Sequence, residues 1–388
     1  MNKRLIAAVA LPALALGGCG GSSSSSSSSS PSTSTPATST SAAAAKPPGA
    51  PFLASLRTAT TIASTVPANG DVNPYGIAVV PATIGSLKAG NLLVSNFNDK
   101  ANNQGTGTTI VQISPQGKQS LFATVRASAL PGSCPGGVGL TTALSILPGG
   151  QVIVGSLPTS NGKSATAQLG CLIVLDSSGK PISTISGPNI EGPWDMTSMT
   201  QGNVTTLFVS NVLNGGAAEG VNTINNSTVL RIRLRTEAGH PPKVLEEEVV
   251  ANMIPWRDDP EALAIGPTGV ALAQDGTLYL ADTLSNRIAA IPQALTRTTP
   301  AAGGGSTVSQ GGLLKQPLGL TLTPNGNILT TNAGDGNMVE TTPEGRQVVA
   351  QTADKQTGAG SLFGLLVAPG GKAVFYVDDG ENTLRLLH

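Results

Sequence analysis

From about residue 52 the chain alternates apolar and polar positions in short runs broken by Gly, Asn and Asp, the spacing of half-buried strands joined by tight turns. Four stretches align without gaps: "PYGIAVVP" from Pro74, "PTGVALAQDG" from Pro267, "PLGLTLTPNG" from Pro317 and "LFGLLVAPGG" from Leu362. Each opens on x-Gly-apolar and most run into a Gly-containing turn. A second apolar run ending in a short polar residue then follows, six times in all: "NLLVSN", "QVIVGS", "TLFVSN", "TLYLAD", "GNILTTN" and "AVFYVD". Third runs such as "TIVQISPQGK", "CLIVLDSSGK" and "NMVETTPEGR" often end in another turn before a fourth strand. Four strands per copy and six copies predict an all-β, six-bladed β-propeller of four-stranded antiparallel blades across residues 51–388.

The last copy ends with the chain in its third strand, at His388, leaving an edge that needs a partner. The run "FLASLRTATTIAST", residues 52–65, has strand composition and no blade of its own, so it is expected to complete the sixth blade and fasten the two ends together. The longest insert, around "VLEEEVVANMIPWRDDPEALAIG", precedes the fourth copy and is expected as a loop or cap on one face.

The repeat also sorts candidate chemistry from architecture. Asp282 shares its place with Asn96, Ser156, Asn211, Asn332 and Asp378, a predicted ring of short polar residues on one face. Asn and Asp at strand ends bond readily to nearby backbone N–H groups, so a residue type recurring in almost every copy points to turn-holding. Function is expected where copies differ. The residue before the repeat glycine is Tyr75, Thr142, Trp194, Thr268, Leu318 and Phe363 in turn, and Asp195 replaces the glycine of the third copy. Aromatic residues are only 3% of the chain, which makes Tyr75, Trp194 and Phe363, with Asp195, the ligand-binding candidates; packing of the rings against neighbouring blades is the competing reading.

Charge and composition narrow partners further. Formal net charge is zero, without the clustered basic excess that phosphate binding needs, so nucleic acid is not an expected partner. Two histidines, His240 and His388, make a Ser-His-Asp hydrolase improbable. The N-terminus carries Lys3 and Arg4, a short apolar core Leu5–Leu16 and small residues, an export signal over 1–18. After Cys19 the chain is rich in Ser, Thr, Pro and Ala to residue 50, a composition expected to stay a disordered tether with a reach on the order of 30 Å. In an exported context Cys134 and Cys171 are expected to form a disulfide, with two buried thiols the alternative.

Three resemblances attach to these residues. "PTGVALAQDGTLYLADTLSNRI" resembles an NHL repeat, and the likeness declines through the other copies. "LGGC", residues 16–19, resembles a bacterial lipobox, which implies lipidation of Cys19, attachment to the cell envelope through that lipid and, with Gly20 following, sorting to the outer membrane facing the periplasm. "IEGPWDM", around Glu191, is similar to the Glu-Gly-Pro motif of gluconolactonase-like propellers, whose metal site implies a calcium alternative with Glu191 and Asp195 as ligands. The leading expectation is a cofactor-free binding or scaffold module for a small molecule, glycan or protein. A calcium-dependent lactonase-like hydrolase or lyase at the channel mouth is the alternative.

Overall fold

In the computed structural model, residues 50–214, 222–237, 239–353 and 358–388 are described. The expected export signal, Cys19 and most of the expected tether lie outside them. Six antiparallel sheets follow one another along the chain. Their innermost strands are Val72–Val79, Leu140–Ile146, Gly192–Gln201, Pro267–Leu272, Pro317–Leu322 and Leu362–Val367. Each packs on the next, and the sixth packs back on the first, so the ring closes as a six-bladed propeller. No helix among the described residues is long and apolar enough to cross a membrane.

Closure uses the expected strand. Ala59–Ser64 runs antiparallel to Thr383–Leu387, from Ala59 opposite Leu387 to Ser64 opposite Thr383, and supplies the fourth strand of blade 6. Just before it, Leu53 and Leu56 bury against Leu329, Met338 and Tyr376. The amino end is therefore held by blade 5 as well as blade 6.

The repeat glycine has a specific task. Every innermost strand carries a register shift where it meets its second strand, between Pro74 and Ile77 in blade 1 and between Pro317 and Leu320 in blade 5, for example. The glycine lies inside that irregularity, against the backbone of the next blade. A Cβ on Gly319 would stand 2.2 Å from the Phe363 carbonyl oxygen, and one on Gly364 2.3 Å from that of Tyr75. Only a residue without a side chain lets the strands approach this closely.

Blade 3 departs from the pattern through its outer strand, Lys243–Asp259, far longer than its counterparts. Beyond the blade it folds back as a hairpin, Arg257–Asp259 against Leu263–Ile265. The hairpin tip crosses to blade 1, where the Gln104 side-chain amide donates to the carbonyls of Pro260 and Glu261 at 3.1 and 3.0 Å. The insert that precedes blade 4 thus forms a cap over the end of the channel where the innermost strands begin. A disulfide, Cys134–Cys171, ties the loop entering blade 2 to that blade's third strand.

Candidate functional site

The six polar residues at the ends of the second strands are all fully buried. They divide by chemistry. The neutral members hold the segment that leads into their own blade: Asn96 donates to the Thr65 carbonyl at 3.1 Å, Ser156 accepts from Gly139 N at 3.0 Å, Asn211 accepts from Glu191 N and Gly192 N at 3.0 and 2.9 Å, and Asn332 donates to the Leu313 carbonyl at 2.9 Å. The two carboxylates hold their own turn and an arginine of the third strand. Asp282 accepts from Ser285 N and from Arg287, and Asp378 accepts from Glu381 N and from Arg385 at 3.0 Å. Burial raises the Asp282 carboxyl, against the opposing pull of the Arg287 guanidinium.

Tyr75, Trp194 and Phe363 are brought together, and they face one another. Tyr75 stacks on Phe363 with centroids 4.0 Å apart and on Trp194 at 5.6 Å, while Phe97 covers another side of Tyr75 at 4.6 Å. The cap closes over them: Trp194 Nε1 donates to the Ala264 carbonyl at 3.3 Å, and Leu263 and Trp256 join the same apolar cluster. The void left between rings and cap is about 10 Å³, too small to hold a water with partners. Burial, then the nearby charge of Asp379, pushes the Tyr75 hydroxyl well above the ordinary tyrosine range. The residues expected to greet a ligand at the channel mouth instead seal it. Three rings from the innermost strands of blades 1, 3 and 6, meeting across the channel, gain more from stacking and leaving water together than from staying exposed.

Beyond this plug the channel holds an open cavity of about 170 Å³, lined by innermost-strand residues of all six blades, among them Ile77, Leu144, Met196, Val270, Leu320 and Leu365. Asp195 is the one ionisable residue in that lining. It occupies the place that glycine holds in four other blades, and its Oδ2 accepts from Val270 N of the next blade at 3.1 Å. Burial raises its carboxyl to about 7 against the opposing N–H groups of Val270 and Met196. Adjacent in sequence, Trp194 belongs to the plug and Asp195 to the open side.

The calcium alternative asks for several oxygens converging on one point. Glu191 sits in the segment entering blade 3, its backbone N–H bound by Asn211 and its carbonyl accepting from Gly170 N. No group of three His, Cys, Asp or Glu suited to a metal occurs among the described residues, and the side chains preceding the repeat glycines are aromatic, aliphatic or hydroxyl. Among the described residues, Glu191 and Asp195 are thus not joined by a third carboxylate, histidine or thiol in a metal-holding group.

Two further cavities lie off the axis. One of about 620 Å³ runs between the turns of blade 2 and Gly239–Pro241; its Asp176 carboxylate is spent on its own turn, accepting from Ser178 N and Lys180 N. Another, of about 400 Å³, lies on the capped face between the start of blade 1, the turn after the second strand of blade 6 and the cap tip, and contains Asp379 and Glu261. Asp379 directly follows a member of the polar ring, a position the repeat comparison passes over because only the ring residue itself recurs.

Among solved structures the chain is similar to a gluconolactonase from Xanthomonas campestris, at 14% identity over 85% of this chain and 88% of that one, with a TM-score of 0.53. A gluconolactonase-family structural-genomics target is similar at 17% identity over 87% and 95%, with a TM-score of 0.54. A virginiamycin B lyase from Staphylococcus aureus shares 14% identity over 85% and 98%, with a TM-score of 0.45. At such identities the likeness concerns the fold. No protein-family model matches the sequence, and no curated protein matches it.

Proposed function

We propose that the protein is an envelope-anchored NHL-type propeller that works as a binding module, carried on a lipidated Cys19 and the tether of residues 19–50 at the periplasmic face of the outer membrane. One observation carries this reading: the channel mouth, at positions where the copies differ, holds a sealed aromatic stack, Tyr75–Trp194–Phe363, in place of converging oxygen ligands. The remaining open channel, where aliphatic side chains alternate with Thr142, Thr197, Thr321 and the single carboxyl of Asp195, suits a small molecule that carries polar groups.

A second reading rests on Asp195 itself. A carboxyl poised near neutrality in a confined cavity is a competent general acid or base, which keeps a hydrolase of the kind named for the similar folds in view. The two readings separate in one experiment on the full chain. Glucono-δ-lactone hydrolysis and calcium binding are measured in wild type and in the Glu191→Ala, Asp195→Ala double variant. The binding-module reading expects no stoichiometric calcium and no hydrolysis above the solvent rate. Hydrolysis that disappears in the double variant replaces it with the enzyme.

A further inference from the structure

The cavity of about 400 Å³ on the capped face is built differently from the channel. Its walls come from the start of blade 1 and the loop after that blade's second strand, from the turn after the second strand of blade 6, and from the tip of the blade 3 cap, so a propeller without that insert would lack one of its walls. Its most buried lining residues are acceptors left without donors. Asn98 is 1% exposed and Asn73 9%, and Oδ1 of each has no hydrogen-bond partner; Gln104 Oε1 is in the same condition. The Gln104 orientation is fixed by chemistry, because its amide nitrogen faces two carbonyls that can only accept. Asn98 likewise gives its nitrogen to Asn102 Oδ1 at 2.7 Å. Among charged lining residues, Asp379 and Glu261 outnumber Lys100.

Unpaired acceptor oxygens and a negative balance ask for a ligand that brings both N–H donors and positive charge. A bare metal ion is poorly matched to a space of this size without a third carboxylate, and none is grouped there among the described residues. We propose that this cavity binds a small organic cation carrying a primary ammonium group, held by Asp379 and Glu261 and by the side-chain oxygens of Asn73, Asn98 and Gln104. Those oxygens lie just below solvent reach, and the broad terminal torsions of Asn and Gln let them swing to a bound donor. The aromatic plug separates this cavity from the Asp195 channel, so the two sites stand or fall independently.

Protons compete with such a ligand. Burial, then the neighbouring Asp378, raises the Asp379 carboxyl to about 7. The groups around it are Asp378 with its partner Arg385, the Tyr75 hydroxyl, Glu261 and Lys100. Affinity for a cation should therefore increase as pH rises from about 6 to about 8.

The test is calorimetric titration of the full chain with 1,4-diaminobutane, with 1,4-butanediol and calcium chloride as parallel arms. Saturable binding of the diamine at pH 8 is expected, at least tenfold weaker in Asp379→Asn and in Glu261→Gln, and stronger in Lys100→Gln. Glu261 is on the exposed cap tip, so its variant keeps the test open if Asp379→Asn folds poorly. The proposal is overturned by absence of diamine binding at pH 8, by equal binding of the diol, by binding indifferent to both acidic substitutions, or by calcium binding where the diamine does not.

Discussion

Glu340 Oε2 accepts a hydrogen bond from the backbone N–H of Leu53 at 2.7 Å, across 287 positions of sequence. The other oxygen accepts from Phe52 N at 3.1 Å and from the Asn327 amide at 2.6 Å. A fully buried carboxylate on the third strand of blade 5 thus receives the start of the folded chain before it enters blade 6 as the closing strand. The ring is latched twice, once by the sheet ladder and once by this carboxylate.

Glu340→Ala removes a buried acceptor that serves the buried Leu53 N–H and the half-buried Phe52 and Asn327 donors, at a cost of about 2–4 kcal/mol. The urea midpoint should fall with the slope unchanged, because the same surface is still exposed on unfolding. Deleting residues 51–66 removes both latches and should destabilise the whole domain in one transition. A truncated protein that melts as cooperatively and as late as the parent would show that closure lies elsewhere.

The repeat glycines make a sharper contrast. Gly319→Ala drives a Cβ into the Phe363 carbonyl of the next blade, backbone that cannot move without shifting the ring, and should cost about 3 kcal/mol. Gly326→Ala, in an open turn with φ +85° and nothing within 4 Å, should cost only the left-handed strain of about 1–2 kcal/mol. Equal losses in thermal or urea unfolding would contradict the role assigned to blade-to-blade contact.

What could be read from residue order, and what could not, follows the same division. Alternation and the x-Gly start recur locally, so six blades, the closing strand and its register partner were all within reach of the sequence. The Glu340 latch was not, since the first of the two glutamates in "NMVETTPEGR" looks as outward-facing as the second until the amino end is placed over it. Tyr75, Trp194 and Phe363 were found by comparing copies, yet alignment places them on one ring without saying whether the rings stay apart or close on each other. The cap decided that, and nothing in "DDPEALAIG" announces that it will reach Gln104 in blade 1.

Stability should depend on pH through Asp195. Its carboxyl sits at about 7 in the fold, against about 3.9 in an unfolded chain. Below about pH 4 both states hold the proton. Between about 4 and 7 only the native state does, so stability declines as pH rises, and above about 7 the decline is complete. Asp379, also raised to about 7, acts in the same direction. Asp195→Asn, which can still accept from Val270 N, should match wild type near pH 4 and exceed it at pH 8. A variant less stable than wild type at pH 8 would remove burial as the dominant influence on this carboxyl.

Trp194 carries the final test, because it is both a wall of the plug and the anchor of the cap. Trp194→Ala opens a cavity among Tyr75, Phe363 and Leu263 and leaves the Ala264 carbonyl without its donor, a loss of about 3–5 kcal/mol. Trp194→Phe keeps a ring in the stack and loses the hydrogen bond with part of the contact area, so about 1–2 kcal/mol is expected. The chain has two tryptophans, which turns the alanine variant into its own probe. Trp256 then emits alone, from a fully buried position under the cap with its Nε1 donating to Asn226 Oδ1 at 2.5 Å. If the cap depends on Trp194, that emission should shift to the red and become accessible to acrylamide well below the unfolding midpoint. Emission that stays blue and protected until global unfolding would mean that the hairpin Arg257–Ile265 and its Gln104 contacts hold the cap without the plug.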